Sequence, residues 1–500
     1  MFGKLDIRRI IAWIATLAAA ALAVWLLMVP PFIGVADNGD FSRLMRITGF
    51  RYLDPNETYA DRYFAFAHQY FGYKSNWGSA YVTTQIVLLS VIGWIARLFN
   101  GQVFDIRWFG AAYTILFASA VYLIVRHTPV FAGRKALTAA VSAIAGGLLL
   151  FVFGDVGYLA YFQSFFGEPY ALLGMLLLIA SAIAMAASER LSGRLLALFV
   201  TAGVAVATSK IQNAPLGFAF ALLAWRLFSL SEERRWHKRV LTGIAVLLAS
   251  AVIMIVAAPS GLKHINLYQS IFYGVLKDSP HVEQDLKELG IPEKYAANAG
   301  TNYFESGTAI PQDDPALRRE VLEKLGHKDI VFYYLRHPDR FMQKLEKAAE
   351  NGVFVRPYYL GNYTISEGKT RGAVSDSFGV WSDWKAHRMP HTLGWFAGFY
   401  LLYAAGLVFW WLRTSSKRVR LVLEAMAAVA LAGIFSMIVP ILGDGEADLG
   451  KHLFMFSACF DMMGVSAAIA LVYGGFALAS RAGLPSRKEQ QGWQSERSLR

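Results

Sequence analysis

The stretch "IIAWIATLAAAALAVWLLMVPPFIGVADNGDFSR", residues 10–43, joins a long apolar run to a short acidic motif. About 20 consecutive apolar residues are enough for an α-helix to cross the roughly 30 Å hydrocarbon core of a bilayer. The run is too long for the apolar part of a signal peptide, and no A-x-A cleavage site follows it, so it predicts a retained membrane helix. Asp37 and Asp40 stand where the chain leaves the membrane, with Arg43 close behind them.

Composition extends this prediction to the rest of the chain. Of the 500 residues, 55% are hydrophobic and only 17% are charged, and further apolar runs follow the first. Long apolar runs without strict alternation predict helices and not a barrel, so we expect an all-α polytopic membrane protein. The net charge of +12 comes mostly from short clusters between the runs, which indicates membrane topology and not a nucleic-acid partner. The single cysteine, Cys459, excludes an intrachain disulfide.

Basic clusters are typical of the cytoplasmic side of a membrane protein. Lys4, Arg8 and Arg9 therefore place the N-terminus in the cytoplasm. If residues 79–99 lie on the outer interface as an amphipathic juxtamembrane helix, every later basic cluster also falls in the cytoplasm. If this segment instead spans the membrane, several of the later basic clusters lie outside. We prefer the first arrangement, which gives ten transmembrane helices. The nine that follow the first are expected at about 107–126, 136–153, 170–188, 195–212, 215–230, 240–258, 392–412, 421–442 and 453–479.

Two long hydrophilic segments then lie outside the membrane. The first is the loop 34–106, and the second is 260–391, whose charge and helical periodicity predict an extracytoplasmic domain. This domain is too short to be an independent enzyme, so we interpret it as a cap over a membrane-embedded site. The remaining divisions are an N-terminal transmembrane module (1–259) that contains the first loop, C-terminal helices (392–480) and a basic cytoplasmic tail (481–500).

The acidic motif of the first loop allows two interpretations. "DNGD" suits an ordinary turn. Alternatively, Arg43 and Arg46 follow Asp40 at helical spacing, so that one acid and two bases share a turn of a helix. A carboxylate beside cations suits chemistry on a phosphate-bearing substrate. On this second interpretation Asp40 is the first candidate for a catalytic base, and Asp37 is the second.

A second acidic loop, "GDVGYLAYFQSFFGEPYALLG" (154–174), carries Asp155 and Glu168 between two predicted helices. Glu168 precedes Pro169 and fits the first turn of a helix, where an acid complements the helix dipole. The alternative is that Glu168 faces Asp40 across a cavity. The aromatic residues of this loop either line a sugar site or form an interfacial belt; they are Tyr158, Tyr161, Phe162, Phe165 and Phe166.

Basic residues also occur at the predicted outer ends of helices, where they are unusual. Lys210, in "TSKIQNAP" (208–215), either snorkels to the surface or binds a lipid phosphate. Lys451 and His452 either form salt bridges with the acids that precede them or provide a cation site for a phosphate. Asp461 lies deeper in the last helix, and we expect it to pair with another helix.

The order of these features resembles the GT-C superfamily of integral-membrane glycosyltransferases, which use sugars linked to polyprenyl phosphate. The resemblance in architecture covers most of the chain, while the resemblance in sequence is confined to "ADNGDFSR", "FFGEPYALL" and "DLGKHLF". It implies that Asp40, or else Asp37, acts as a base toward the acceptor hydroxyl or holds the acceptor or a metal, and that Glu168 is the second acid. It also implies a donor-phosphate or substrate-binding role for a larger set, namely Arg43, Arg46, Asp155, Lys210, Lys451 and His452.

The function implied by this resemblance is transfer of a sugar in the bacterial inner (plasma) membrane, with both termini in the cytoplasm and the active site outside. The donor is a polyprenyl-phosphate sugar, and the acceptor is a lipid-linked glycan, lipopolysaccharide, a teichoic acid or a protein. Membrane lipids surround the protein. No metal site is assigned, because the first loop has no D-x-D, but a divalent cation (Mg²⁺ or Mn²⁺) stays open as a cofactor. The alternative is a transporter or flippase of a lipid-linked or anionic envelope precursor, although we find no paired half-repeats.

Overall fold

The computed structural model describes residues 6–74 and 81–482, which form a bundle of long helices with a smaller helical domain at one end. Some predictions fall outside these residues. They concern Lys4, residues 79–80 of the juxtamembrane helix and residues 483–500 of the basic tail.

The N-terminal part of the chain is one long helix followed by a folded loop. Its elements are α1 (Ile7–Met28), α2 (Phe41–Thr48), β1 (Phe50–Tyr52), α3 (Tyr59–Arg62), β2 (Tyr70–Tyr73), α4 (Gln85–Phe99) and β3 (Val103–Asp105). The strands form an antiparallel sheet in the order β1–β2–β3, with Phe50 opposite Tyr73 and Phe71 opposite Phe104. The protein is mostly helical, as predicted, and this small sheet is an addition that we did not predict from the sequence. Strands of three or four residues are too short for an alternating pattern to be recognised.

Helices make up nearly all of the regular structure in the rest of the chain. The central part contains α5 (Arg107–Arg126), α6 (Lys135–Phe153), α7 (Val156–Leu159), α8 (Glu168–Ala187), α9 (Gly193–Ser209), α10 (Leu216–Arg226) and α11 (Arg234–Val256). The domain between residues 260 and 391 contains α12 (Ser260–Ser270), α13 (Val282–Leu289), α14 (Pro315–Leu317), α15 (His327–Arg336), α16 (Pro338–Gly352) and α17 (Val380–His387). The chain ends with α18 (Leu393–Arg413), α19 (Lys417–Asp444), α20 (Leu449–His452) and α21 (Phe454–Ala482).

Nine helical stretches among the described residues are long and apolar enough to cross a membrane, so the chain is a multi-pass membrane protein. They are α1, α5, α6, α8, Ile211–Leu230, α11, α18, α19 and most of α21. The tenth predicted helix corresponds to α9, which is shorter, at about 26 Å, and packs against α8, α10 and α11. All ten predicted segments are therefore helical, with ends that differ by a few residues from those expected.

The two ends of the bundle differ in their charged groups. At one end, the turn between α5 and α6 contacts both ends of the described chain. Arg126 Nη1 lies 2.8 Å from Asp6 Oδ2, and Arg134 Nη2 donates a 2.9 Å hydrogen bond to the carbonyl oxygen of Ser480. We call this the basic end, and the opposite end, which holds the acidic motif of the first loop, the carboxylate end. The segments before α1 and at the end of α21 thus lie on the same side of the bundle.

Helix α4 lies across the carboxylate end and does not cross the bundle. At its start, Thr84 Oγ1 is 2.6 Å from the hydroxyl of Thr208, in the last turn of α9. At its end, the ring of Phe99 is 5.3 Å from that of Trp108, in the first turn of α5. Both ends of a helix about 22 Å long therefore sit at the same end of the bundle. Apart from Arg97, the large side chains that α4 leaves exposed are apolar, as expected at a membrane interface; they are Val87, Val91, Trp94, Ile95, Leu98 and Phe99.

The domain 260–391 packs against the first loop. The backbone N–H groups of Gly34 and Ala36 donate hydrogen bonds of 2.9 Å to the carbonyl oxygens of Asn362 and Gly361. Gly361 lies so close to the loop that a Cβ atom there would be 2.0 Å from the carbonyl oxygen of Ala65. Only glycine allows this approach, so the domain and the loop form one continuous surface.

The same domain is also fixed to the last helix by a buried charge. Lys385 of α17 and Asp461 of α21 are both fully buried, and Lys385 Nζ lies 2.8 Å from Asp461 Oδ1. The other oxygen of Asp461 accepts hydrogen bonds from the hydroxyl of Tyr158 (2.6 Å) and from Trp381 Nε1 (2.8 Å). Asp461 therefore pairs with another helix, as predicted, and that helix belongs to the domain 260–391.

Replacing Lys385 by Met should strongly destabilise the protein, because Asp461 keeps its charge in a buried site without an ammonium partner. Breaking one side of a buried ion pair typically costs about 3–5 kcal/mol. The double variant Lys385→Met/Asp461→Asn should recover part of this loss, since Asn still accepts from Tyr158 and Trp381. Thermal unfolding in detergent tests both variants. Equal melting temperatures for the wild type and Lys385→Met would contradict this account.

The position of α4 can be tested by cysteine labelling, because the natural Cys459 is fully buried. Asn56, Gln102 and Ala132 are exposed. If α4 lies on the surface, cysteines at positions 56 and 102 react with a membrane-impermeant maleimide from the same side, and one at position 132 reacts only from the other side. Labelling of positions 56 and 102 from opposite sides would show that α4 spans the membrane.

Candidate functional site

Four segments that are far apart in the sequence meet at the carboxylate end. They are the acidic motif of the first loop, the N-terminus of α8, the turn after α9 and the segment 444–452 between α19 and α21. Ion pairs connect the first with the last and the second with the third. The cluster therefore brings together most of the residues that the sequence predicts as a site.

Lys451 is the central cation of this cluster. It is fully buried, and its Nζ contacts the Asp40 carboxylate and donates a 2.9 Å hydrogen bond to Asn38 Oδ1. The same Nζ lies 3.9 Å from the centre of the Phe166 ring, a distance at which an ammonium group is attracted by the ring. A buried ammonium group is stable only beside an opposite charge, and Asp40 provides that charge.

Asp40 binds a second cation as well. Its Oδ1 lies 2.9 Å from Arg43 Nη2, one turn along α2, which confirms the helical spacing expected for these two residues. Burial by itself would raise the pKa of Asp40, but the charges of Arg43 and Lys451 hold that pKa well below its usual range. Asp40 is therefore a stable carboxylate whose charge is already compensated. Arg46, the other base expected beside it, is exposed, and no acid pairs with it in the part of the chain that the structure describes.

Asp37 is occupied by contacts within the first loop. Its Oδ1 accepts hydrogen bonds from the backbone N–H groups of Gly39 (2.7 Å) and Phe41 (3.0 Å), and its Oδ2 accepts one from the hydroxyl of Tyr52. Burial raises the pKa of Asp37. These contacts fix the turn that leads into α2, so Asp37 holds Asp40 in position.

Glu168 and Lys210 form the second ion pair of the cluster. Glu168 is the first residue of α8, as expected, and its Oε1 lies 2.5 Å from Lys210 Nζ in the turn after α9. Gly167 allows the two segments to meet, because a Cβ atom there would be 2.5 Å from the carbonyl oxygen of Ser209. Glu168 Oε2 is enclosed and has no hydrogen-bond partner. Glu168 thus faces Lys210 directly, and Asp40 faces Lys451.

Asp448 is a member of the cluster that we did not select from the sequence. Its Oδ2 accepts a 2.6 Å hydrogen bond from Asn38 Nδ2, while its Oδ1 is enclosed without a partner. Its backbone is left-handed (φ +49°), which is uncommon for a residue other than glycine. Burial raises the pKa of Asp448 to about 7, although Lys451 opposes this change. The acidic stretch "DGEAD" before Lys451 was the only sequence signal for it.

His452 does not supply the second positive charge that we expected beside Lys451. Burial lowers the pKa of His452 well below its ordinary value, and the nearby charges of Lys210 and Lys451 lower it further. Its Nδ1 lies 3.2 Å from Asp444 Oδ2, in a geometry that makes no hydrogen bond. His452 is therefore a neutral imidazole at pH 7, and its role in the cluster is that of a polar group and not of a cation.

A narrow cavity of about 10 Å³ lies between the two ion pairs, with room for about one water molecule. Glu168, Lys210, Lys451 and His452 line it. Several polar atoms of the cluster are enclosed without a hydrogen-bond partner, namely Tyr161 OH, Glu168 Oε2, Asn213 Oδ1, Asp444 Oδ1, Asp448 Oδ1 and His452 Nδ1. Buried polar atoms are nearly always paired in proteins, so their concentration here indicates a place for a polar ligand.

Asp155 lies apart from this cluster. Its two oxygens accept hydrogen bonds from the backbone N–H groups of Gly157 (2.7 Å) and Ser382 (2.9 Å), which caps α7 and attaches it to α17. The aromatic residues near it are buried in the protein interior, so they form neither an exposed belt nor an open sugar site. We expected Asp155 to bind substrate; in the structure its carboxylate holds the domain 260–391.

The acids of the cluster do not suit a divalent cation. Asp40 and Glu168 are each paired with a positively charged side chain, which would repel Mg²⁺ or Mn²⁺. Within residues 6–74 and 81–482, no group of three or more His, Cys, Asp or Glu side chains is arranged to hold a metal ion. We therefore assign no step to a metal.

Residues 4–491 match the family model described as the YfdI N-terminal transmembrane domain. No curated protein and no solved structure matches the chain. The match covers nearly the whole chain and contains all four segments of the candidate site. The chain therefore belongs to the YfdI N-terminal transmembrane domain family.

Proposed function

We propose that the protein is a glycosyltransferase of the GT-C type, which moves a sugar from a polyprenyl-phosphate donor to an envelope acceptor at the outer face of the bacterial inner membrane. The observation that carries this proposal is the pair of lysines, Lys210 and Lys451, held by Glu168 and Asp40 around enclosed polar atoms. Positive charges beside unsatisfied polar atoms, at the end of a membrane bundle, suit a ligand that combines a phosphate with sugar hydroxyls.

The two lysines and Arg43 would stabilise the leaving phosphate. In the transfer, the acceptor oxygen bonds to the anomeric carbon, and the bond from that carbon to the phosphate oxygen breaks. The electron pair of the broken bond stays on the phosphate, so its negative charge increases as the reaction proceeds. Fixed cations that are already in place stabilise such developing charge without reorganising. Direct displacement of this kind inverts the anomeric carbon.

The location of the cluster also supports a lipid-linked donor. Glu168 and Asp444 are terminal residues of helices long enough to span the membrane, and Lys210 directly precedes a third such stretch, so a phosphate bound here lies at the level of lipid headgroups. The exposed apolar face of α4 lies at the same end of the bundle. A polyprenyl chain can then remain in the bilayer while the sugar reaches the site.

The domain 260–391 encloses the site from the other side. Glu446, two residues after Asp444 in the segment 444–452, forms ion pairs with Lys277 (2.7 Å) and Lys344 (2.6 Å) of this domain. These ion pairs fix the domain next to Asp448 and Lys451. A cap held in this way would exclude water, which competes with the acceptor for the sugar.

Replacing Lys210 or Lys451 by Gln should reduce sugar transfer about 10²–10³-fold, because each change removes a fixed positive charge from the leaving phosphate. The measurement is glycan analysis of membranes from cells with matched expression levels. The polyprenyl-phosphate sugar should accumulate as the envelope glycan loses one sugar. Lys263→Gln is the control, since Lys263 is exposed and lies outside the cluster.

The same measurement distinguishes transfer from transport. If the protein were a flippase, the variants would stop the lipid-linked precursor from reaching the outer face, and its sugar composition would be unchanged. Wild-type levels of the complete glycan in both lysine variants would contradict the proposed function.

A further inference from the structure

We propose that Asp448 is the residue that accepts the proton of the acceptor hydroxyl during transfer. This inference rests on the proposed function and assigns a role that we expected Asp40 or Asp37 to have. Five carboxylates lie in the cluster, namely Asp37, Asp40, Glu168, Asp444 and Asp448, and they differ in what each already binds.

Four of the five suit this role less well than Asp448. Asp444 is buried, and its Oδ2 lies 3.2 Å from His452 Nδ1. Asp40 is compensated by two cations, and Glu168 by one. Asp37 accepts three hydrogen bonds from groups of the first loop. The charges of Arg43 and Lys451 make Asp40 a weak base. Both oxygens of Asp37 are already occupied by hydrogen bonds, and Glu168 is buried beside Lys210.

Asp448 differs from these four carboxylates in its partners and in its exposure. Within the described residues, 6–74 and 81–482, no Lys, Arg or His side-chain nitrogen lies within 4.0 Å of the Asp448 carboxylate. Among the described residues, its side chain makes one hydrogen bond, which it accepts from Asn38, and its Oδ1 remains without a partner. The residue is half-buried, so it borders both the enclosed cluster and the surface from which an acceptor arrives.

The backbone places Asp448 next to the phosphate-binding cation. Its carbonyl oxygen accepts hydrogen bonds of 3.0 Å from the N–H groups of Lys451 and His452, so one short turn carries both the proposed base and the central lysine. The left-handed conformation of Asp448 is a strained position for a residue with a side chain, and such strain is concentrated at functional sites.

The charges around Asp448 come from every segment of the cluster. Lys451 lies on its own turn, Asp40 on the first loop, Lys210 on the turn after α9 and Glu168 on α8. Two of these groups are positive and two are negative, and burial raises the pKa of Asp448 to about 7. A base works best when its pKa is close to the working pH, so Asp448 suits proton transfer at neutral pH.

The proton and electron movements balance in this arrangement. The proton of the acceptor hydroxyl moves to Asp448 Oδ1 while the hydroxyl oxygen bonds to the anomeric carbon. The electron pair of the broken bond to the phosphate oxygen stays on the phosphate, where Lys451 and Lys210 compensate it. The carboxylic acid then releases its proton to solvent.

The test is the pH dependence of transfer in spheroplasts, whose outer face is open to the buffer. The donor is the lipid-linked sugar isolated from the cells in which Lys451→Gln causes it to accumulate. Wild-type transfer should fall as the pH drops below about 7, because the protonated carboxyl group no longer accepts a proton. Asp448→Asn should lower transfer at least 10²-fold and abolish this pH dependence, while the KM for the donor changes little.

Two further variants separate a chemical role from a structural one. Asp278→Asn is the matched control, since Asp278 also has a left-handed backbone (φ +58°) but is exposed outside the cluster, and it should behave as wild type. Asp448→Gly removes the carboxylate with a residue that prefers this conformation, and it should be as inactive as Asp448→Asn.

The outcomes distinguish this inference from the proposed function. If Asp448→Asn keeps wild-type transfer and its pH profile while Lys451→Gln is inactive, Asp448 is not the base and the glycosyltransferase proposal stands. If neither the wild type nor any variant transfers a sugar from the isolated lipid, both proposals fail.

Discussion

The buried ammonium group of Lys451 is the constraint on which the arrangement of the candidate site depends. A charge without access to water is stable only with an opposite charge and hydrogen bonds beside it, and Asp40 and Asn38 provide both. Because these two residues belong to the first loop, the loop must close over the start of α21. The pair therefore joins the N-terminal and C-terminal parts of the chain across more than 400 residues of sequence.

The first loop is shaped to hold that position. Asp37 fixes the turn before α2, and the sheet β1–β2–β3 places Phe50, Phe71 and Phe104 in a buried aromatic cluster. Ring centroids of Phe71 and Phe104 lie 5.0 Å and 4.8 Å from those of Phe165 and Phe109, respectively, so the loop packs on α5 and on the segment before α8. The rigidity of the loop thus comes from aromatic packing, and its charge comes from a few polar residues at its start.

Charge pairing also separates the carboxylates into different roles. Asp461, which does not line the cavity, is paired with Lys385, and Glu446 is paired with Lys277 and Lys344, so both attach the domain 260–391 to the bundle. Asp40 and Glu168 hold cations at the cavity. Among the five carboxylates of the cluster, Asp448 alone combines an unpaired oxygen with partial exposure. These side chains carry the same carboxylate group, but they have different roles because the residues around them differ.

The sequence by itself determined the membrane character and the ten helical segments, because long apolar runs are local properties of the chain. The basic clusters are also local, and they indicated the end of the bundle at which the unusual polar residues gather. The sequence also indicated Asp40, Glu168, Lys210 and Lys451 as members of one site. Only the tertiary structure decided which acid pairs with which base, since each partner comes from a distant segment. It showed that Asp155 holds a domain, that His452 is neutral and that Asp448 belongs to the cluster, because burial and the identity of the nearest charges follow from packing and not from spacing along the chain.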